Sequence, residues 1–132
     1  NFEFATVEGK IPYYDVFMKE MDKDLITMEL DLFWTTKAGK NPMEIVQKYP
    51  GRFQLFHMKD MYNKNTQPVY STDHVSDFAP VGEGIINFKE ILKLKDTAGL
   101  KYLVVEQDST RDGKPFKAIK TSLRNLTTDI LV

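Results

Sequence analysis

Phe53-Gln54-Leu55-Phe56-His57-Met58-Lys59-Asp60 is the stretch on which the reading of this chain turns. In an extended strand, alternate residues share a face. Phe53, Leu55, His57 and Lys59 then lie on one side, and Gln54, Phe56, Met58 and Asp60 on the other. Apolar residues open both faces, which predicts burial on both sides, as in a parallel sheet covered by helices. The polar residues His57, Lys59 and Asp60 gather at the C-terminal end. Parallel α/β sheets and barrels place their active sites at that end.

Two further stretches repeat the pattern. Leu25–Trp34 reads as a strand with Asp31 late in its run, and Leu100–Asp108 as a strand with Glu106 late in its run. A carboxylate inside an apolar strand is costly unless it is paired. Two of them, with a histidine at the same height on a third strand, are better explained by a shared cation than by coincidence. On the first strand, Glu29 lies one layer below Asp31 and is expected to be a buried structural acid paired with a neighbour. Trp34 leaves the strand end, either to wall a pocket or to pack in a loop. The spacing predicts strands over 25–33, 53–59 and 101–107. Helices are predicted over 12–21, 42–49, 87–97 and 115–128, after a strand remnant and loop at 1–10.

The succession ELDLFW, GKNP, HMKD, VGEGIINF and VVEQD resembles the C-terminal half of the sugar phosphate isomerase/epimerase family. That family has the xylose-isomerase-like TIM barrel fold. The resemblance runs from Phe2-Glu3-Phe4 to the last helix, and it implies that the three strands are the sixth to eighth of a (β/α)8 barrel. It implies Asp31, His57 and Glu106 as ligands of a divalent metal, with Glu106 also serving as one acid/base. The expected fold is therefore α/β, with parallel strands alternating with helices, as one partial barrel domain over 1–132. At 132 residues the chain is short for a closed barrel, which takes about 250. It begins at Asn1, without an initiator Met, which reads as a piece whose first five strands, fourth metal ligand and second base lie elsewhere.

Composition narrows the function classes. The formal net charge is −1 and no cysteine is present, so disulfide and thiolate chemistry are excluded. Basic residues are scattered rather than striped, which argues against nucleic acid. No apolar run approaches the 18 or so residues of a membrane span. A cytoplasmic location is the default reading, with the periplasm left open because the true N-terminus is taken to be absent.

The remaining segments read structurally. Residues 61–81 form a long loop on the presumed active-site face, suited to a lid or specificity loop; His74 within it reads as a solvated loop histidine. Val81-Gly-Glu-Gly84 reads as a turn rather than a site for Glu83. Asn41 and Asn87 read as helix N-caps, with Glu44 and Glu90 three residues on. Phe116, Ile119, Leu123, Leu126 and Ile130 stripe the last helix and are expected to face the core.

The expected chemistry follows from the donor set. One histidine and two carboxylates, with no thiol, suit Mn²⁺, Mg²⁺, Co²⁺ or Zn²⁺ without choosing among them. Such a cation polarises a keto-sugar carbonyl while a carboxylate removes the α-proton, giving an enediolate. Lys59 is expected to bind a substrate oxygen or the Asp31 or Glu106 carboxylates, and Trp34 to wall the substrate. Asp60, on the other face, is expected to orient the strand end. The expected activity is a metal-dependent sugar or sugar phosphate isomerase or epimerase, for which this stretch alone would be inactive. The alternatives are a keto-sugar or keto-glycoside dehydratase or lyase on the same fold, and a non-catalytic carbohydrate-binding relative. The expected partners are a small sugar or sugar phosphate, and either a second copy or the missing N-terminal half.

Overall fold

A computed structural model describes residues 2–63 and 77–132. The central element is a parallel sheet of β3 (Met28–Asp31), β4 (Phe53–Met58) and β7 (Tyr102–Val105), in the order β3-β4-β7. Asp31 pairs with His57, and His57 with Val104, so the polar strand ends lie at one height. Helices separate these strands in the chain: α2 (Leu32–Lys37) and α3 (Pro42–Lys48) between β3 and β4, then α4 (Phe88–Leu92) and α5 (Lys95–Ala98) between β4 and β7. Parallel strands alternating with helices are what part of a TIM-like barrel requires, and no antiparallel pairing interrupts this sheet.

The two sheet faces differ, and the burial expected on both sides is complete on one of them only. Leu30, Phe56 and Met58 are buried together with Phe33 and Val46 of the helices, and Leu103 and Val105 pack against them. The opposite face carries Glu29, Asp31, Leu55, His57, Tyr102 and Val104, and Tyr102 is largely exposed. A continuous apolar layer on one side and a mixed polar layer on the other is the division expected between the shell and the interior of a barrel.

Several expected boundaries shift. The first strand ends at Asp31 instead of running to residue 33, because the Asp31 carboxylate caps a helix that starts at once. Its Oδ1 accepts the Trp34 backbone N–H at 2.9 Å, satisfying one of the helix's open donors. Leu32 and Phe33 are thus fully buried helical residues rather than strand residues. The helix expected over 87–97 breaks near Leu94, which leaves α4 and α5, with Asn87 capping the first as expected. Residues 1–12 form no long strand. They make a short 3₁₀ turn (Phe2–Phe4) and a small hairpin of β1 (Thr6–Val7) and β2 (Ile11–Pro12), followed by α1 (Tyr13–Glu20). Arg52 ties α1 to the start of β4 by donating to the carbonyls of Met18 and Met21 at 3.0 and 3.3 Å.

The last helix, α6 (Pro115–Asn125), continues into a π turn over Leu126–Ile130. Its buried residues are Ala118, Ser122, Leu126 and Ile130, whereas Phe116, Ile119 and Leu123 are exposed. This corrects the expectation that all five apolar residues face the core. The helix docks through a small, polar patch instead. Val81 N–H donates to Ser122 Oγ at 3.0 Å, and Asn125 Nδ2 donates back to Val81 O at 2.9 Å.

Of the expected loop over 61–81, only its ends fall among the described residues, and His74 lies outside them. The ends form an antiparallel pair, β5 (Asp60–Met61) with β6 (Phe78–Ala79). Among the described residues no helix is long and apolar enough to cross a membrane.

Candidate active site

Three strand ends deliver the cluster. Asp31 closes β3, His57 lies one residue from the end of β4, and Glu106 follows β7 directly. Because parallel strands are spaced by about 4.8 Å, side chains at one height reach one another across the sheet. His57 lies between carboxylates on both sides of its ring. Its Nδ1 is 3.3 Å from Asp31 Oδ2, and its Nε2 is 3.1 Å from Glu106 Oε2 and 3.3 Å from Glu29 Oε1.

Lys59 completes the group. The residue is only 5% exposed, yet its ammonium has three carboxylates within reach. Glu106 Oε2 is 2.8 Å away, Asp108 Oδ1 3.2 Å and Asp31 Oδ2 3.4 Å. Asp31, His57, Lys59 and Glu106, all singled out from the sequence, therefore meet in one place. Asp108 was missed, although the alternation that puts Glu106 on this face also puts Asp108 there. Glu29 pairs with His57 as expected but is partly exposed rather than buried.

The surroundings push the two main carboxyls in opposite directions. Burial raises the Asp31 carboxyl above its usual range, and the Trp34 N–H, Lys59 and His57 offset only part of that. The hydrogen bond from Lys59 holds Glu106 below its usual range. Burial alone lowers the Lys59 ammonium, but Glu106, Asp31 and Asp108 outweigh it, so its proton is held more tightly than usual. At neutral pH Glu106 is thus an ionised carboxylate beside a firmly protonated lysine.

Beside Asp31 a cleft of about 580 Å³ opens, lined by Tyr13, Tyr14, Phe17, Glu29, Asp31 and Trp34 among others. Trp34 sits in the first turn of α2, edge-on to Phe33 at 4.9 Å and to Phe78 at 6.1 Å. It walls this cleft, so it is held by packing and borders the site at once. Burial pushes the Tyr14 hydroxyl up to about 12, so it stays protonated.

Asp60 takes the other side of the strand end. It is 1% exposed, and its carboxylate accepts four backbone N–H groups. Oδ1 receives Met61 at 2.8 Å and Ile86 at 3.1 Å, and Oδ2 receives Gly84 at 2.9 Å and Gly82 at 3.0 Å. The Val81–Gly84 turn is wrapped around this carboxylate. A Cβ on Gly84 would stand 2.2 Å from Asp60 Oδ1, so glycine is required there by space. Asp60 is a structural anchor that fixes the loop beside Lys59, and Glu83 takes no part in the cluster.

The fit to a divalent cation divides into donor type and placement. Four carboxylates and an imidazole face one ammonium, so the group carries an excess of negative charge and offers oxygen and nitrogen donors suited to a hard or borderline metal. Among the described residues, however, no three His, Asp or Glu side chains stand ready to hold a metal. In this cluster the Lys59 ammonium already lies between Asp31 and Glu106. The donor set fits a metal; its present arrangement is that of an internal ion-pair network.

No family model matches the chain. It is 26% identical over 117 residues to inosose dehydratases from two strains of Clostridium perfringens; the match takes in 82% of this chain and 39% of each relative. Among solved structures, a sugar phosphate isomerase/epimerase from Parabacteroides distasonis superposes with a TM-score of 0.77 at 25% identity, over 97% of this chain and 42% of that one. The probable 3-DHS dehydratase of petrobactin synthesis from Bacillus anthracis superposes with a TM-score of 0.66 at 21% identity, over 89% of this chain and 44% of that one. The second likeness concerns the fold alone. The chain thus spans well under half the length of the relatives it matches. Its structural neighbours are xylose-isomerase-like barrels, in agreement with the resemblance drawn from its motifs.

Proposed function

We propose that this chain carries the C-terminal half of the active site of a sugar isomerase or epimerase that works by α-proton abstraction. The observation that carries this reading is the meeting of Asp31, His57, Lys59 and Glu106 at the C-terminal ends of three parallel strands. Asp31, His57 and Glu106 are the residues that would hold a divalent cation, which would supply Lewis-acid polarisation of a substrate carbonyl.

The chain's own residues account for the remaining steps. Glu106, an ionised carboxylate at neutral pH, accepts the proton from the carbon next to the carbonyl. A carboxylate with a lowered pKa is a weak base, so the reaction depends on that carbon being acidified by the polarised carbonyl. The electrons left behind become an enediolate, and the Lys59 ammonium is placed to hold its negative oxygen. Return of the proton to the opposite face gives the epimer, and return to the neighbouring carbon gives the isomer. Trp34 borders the cleft where the sugar ring would lie.

A second reading has a specific observation in its favour: the relatives from Clostridium perfringens are named inosose dehydratases. A dehydratase begins with the same proton loss, after which the enediolate expels the β-hydroxyl, which takes up the proton held by Glu106 and leaves as water. The first half of the chemistry is shared, and the fate of the enediolate separates the two readings.

The test uses the full-length polypeptide that contains these residues, a panel of keto sugars and keto inositols, and solvent deuterium. Deuterium at the α-carbon, with formation of an epimer or isomer, is the expected outcome. Glu106→Gln and His57→Ala should each lower exchange by about 10²-fold or more. Loss of water without isomer formation would select the dehydratase. Turnover untouched by both substitutions would refute the site.

A further inference from the structure

Lys59 has one carboxylate partner that is not needed for the metal. Asp31 and Glu106 are the oxygen donors of the proposed ligand set, whereas Asp108 lies beyond the β7 strand end and contacts the cluster through Lys59. Its two oxygens stand 3.2 and 3.4 Å from the ammonium. A lysine and a metal cannot both occupy the space between Asp31 and Glu106, because two cations there would repel at short range in a poorly solvated site. A buried ammonium deprived of every partner is also strongly disfavoured.

We propose that Asp108 is a positioning residue that retains Lys59 when the ligand carboxylates take up a cation. Lys59 then has two arrangements. In one, seen in this structure, it bridges Asp31, Glu106 and Asp108 and serves as the cluster's internal counter-cation. In the other it stays on Asp108 alone, leaves Asp31 and Glu106 free, and keeps its ammonium at the edge of the site. The shift is short, since Asp108 is already in contact. This inference deepens the proposed function and rests on its metal reading.

Two features of the site support the assignment. Lys59 lies between Asp31 and Glu106, in reach of both carboxylates, which is the place an internal competitor takes. Asp108 is also partly exposed, with a side chain 37% accessible, so its carboxylate is stable without Lys59 and is free to serve as a second seat. A carboxylate buried for structural reasons would resemble Asp60, with every oxygen paired to backbone.

The test is a double-mutant cycle read by Mn²⁺ titration calorimetry on the full-length polypeptide, with circular dichroism confirming that each variant folds. Lys59→Met removes the competitor and should tighten Mn²⁺ binding by about tenfold. Asp108→Asn removes the second seat, throws Lys59 back on Asp31 and Glu106, and should weaken binding by about tenfold, a size typical of groups that orient a metal's ligands. In the Lys59→Met background, Asp108→Asn should change affinity by less than about twofold, because the lysine through which it acts is gone. Asp108→Glu should restore most of the wild-type affinity. Equal weakening by Asp108→Asn in both backgrounds would overturn the proposal, since Asp108 would then act by its own charge. Wild-type binding with no effect of either substitution would also overturn it, and would leave the metal reading standing. Absence of Mn²⁺ binding by the wild type would remove both.

Discussion

At the residue scale, alternation along the strands carried most of the site. It put His57 and Lys59 on one face, and Asp31 and Glu106 on the matching faces of the neighbouring strands, where the structure brings them together. It also separated Asp60 from them. Asp60 is expected to orient the strand end, but alternation gave no sign of the turn it holds, because three of the four N–H groups it accepts come from residues 82, 84 and 86, and a bond between a side chain and a distant turn leaves no periodic trace. Gly84→Ala tests that anchor. The added methyl would stand 2.2 Å from Asp60 Oδ1 and 2.4 Å from Met61 O, and neither can withdraw without giving up its position in the turn. A loss of about 3 kcal/mol is expected in denaturant unfolding; a change below about 1 kcal/mol would mean that the turn is loosely held. Asp31→Asn should behave differently. Burial raises the folded pKa of Asp31 above its ordinary value, so ionising it costs the fold stability. That cost is present at neutral pH and is relieved as pH falls through the raised value. Asparagine keeps the cap on Trp34 N–H without the charge. The variant should therefore be no less stable than wild type at pH 7 in thermal unfolding, while binding Mn²⁺ more weakly.

At the element scale, the order of strands and helices was legible, and the errors lie where side chains override local pattern. The apolar run Leu30–Trp34 reads as one strand, but the Asp31 cap converts its second half into α2. Lys37 falls between the strand predicted over 25–33 and the helix predicted over 42–49, yet it is buried at the end of α2 and donates to Asp77 at 2.6 Å. Sequence separates these two by forty positions, so no local signal couples them. The pair fastens α2 to β6 beside the stacked rings of Phe33 and Phe78, whose centroids are 4.3 Å apart. Lys37→Met should cost about 3–5 kcal/mol, because it strands a buried carboxylate, and the double variant with Asp77→Leu should recover much of the loss. A weaker tie joins α1 to α3, where Asp15 accepts from Lys48 and from the Tyr49 hydroxyl. The Lys48 hydrogen bond holds the Asp15 carboxyl below its usual range. Its contribution is therefore complete above the ordinary carboxylate pKa and is lost as pH falls through the lowered one. Lys48 is half exposed, so solvent screening limits the effect to about 0.5 kcal/mol. The difference in stability between wild type and Asp15→Asn should shrink on acidification.

At the scale of the whole molecule, three parallel strands leave two open edges. Among the described residues β3 and β7 each pair on one side only, and the face carrying the site has no opposing layer. Apolar residues mark both flanks: Tyr13, Val16 and Phe17 on α1, and Phe116, Ile119 and Leu123 on α6. Phe116 is 83% exposed and Leu123 61%, a pattern seldom stable in water without a partner. An eight-stranded barrel needs five more strands than this sheet has, whereas a second copy would bring the total only to six. A complement that would fit these edges is the other part of a barrel, and a second copy would be its substitute when the chain stands alone. Residues 1–132 expressed alone should thus self-associate at micromolar concentration in sedimentation velocity. Phe116→Lys with Leu123→Lys should shift the distribution towards monomer with a loss of stability under about 0.5 kcal/mol, the usual range for exposed sites. If the stripe is covered in the full-length polypeptide, the same pair of substitutions should there disrupt packing and lower the melting temperature. A stable monomer of residues 1–132 that is indifferent to the double substitution would show that the sheet edges and the α6 stripe need no cover, and the barrel-completion argument would fail with it.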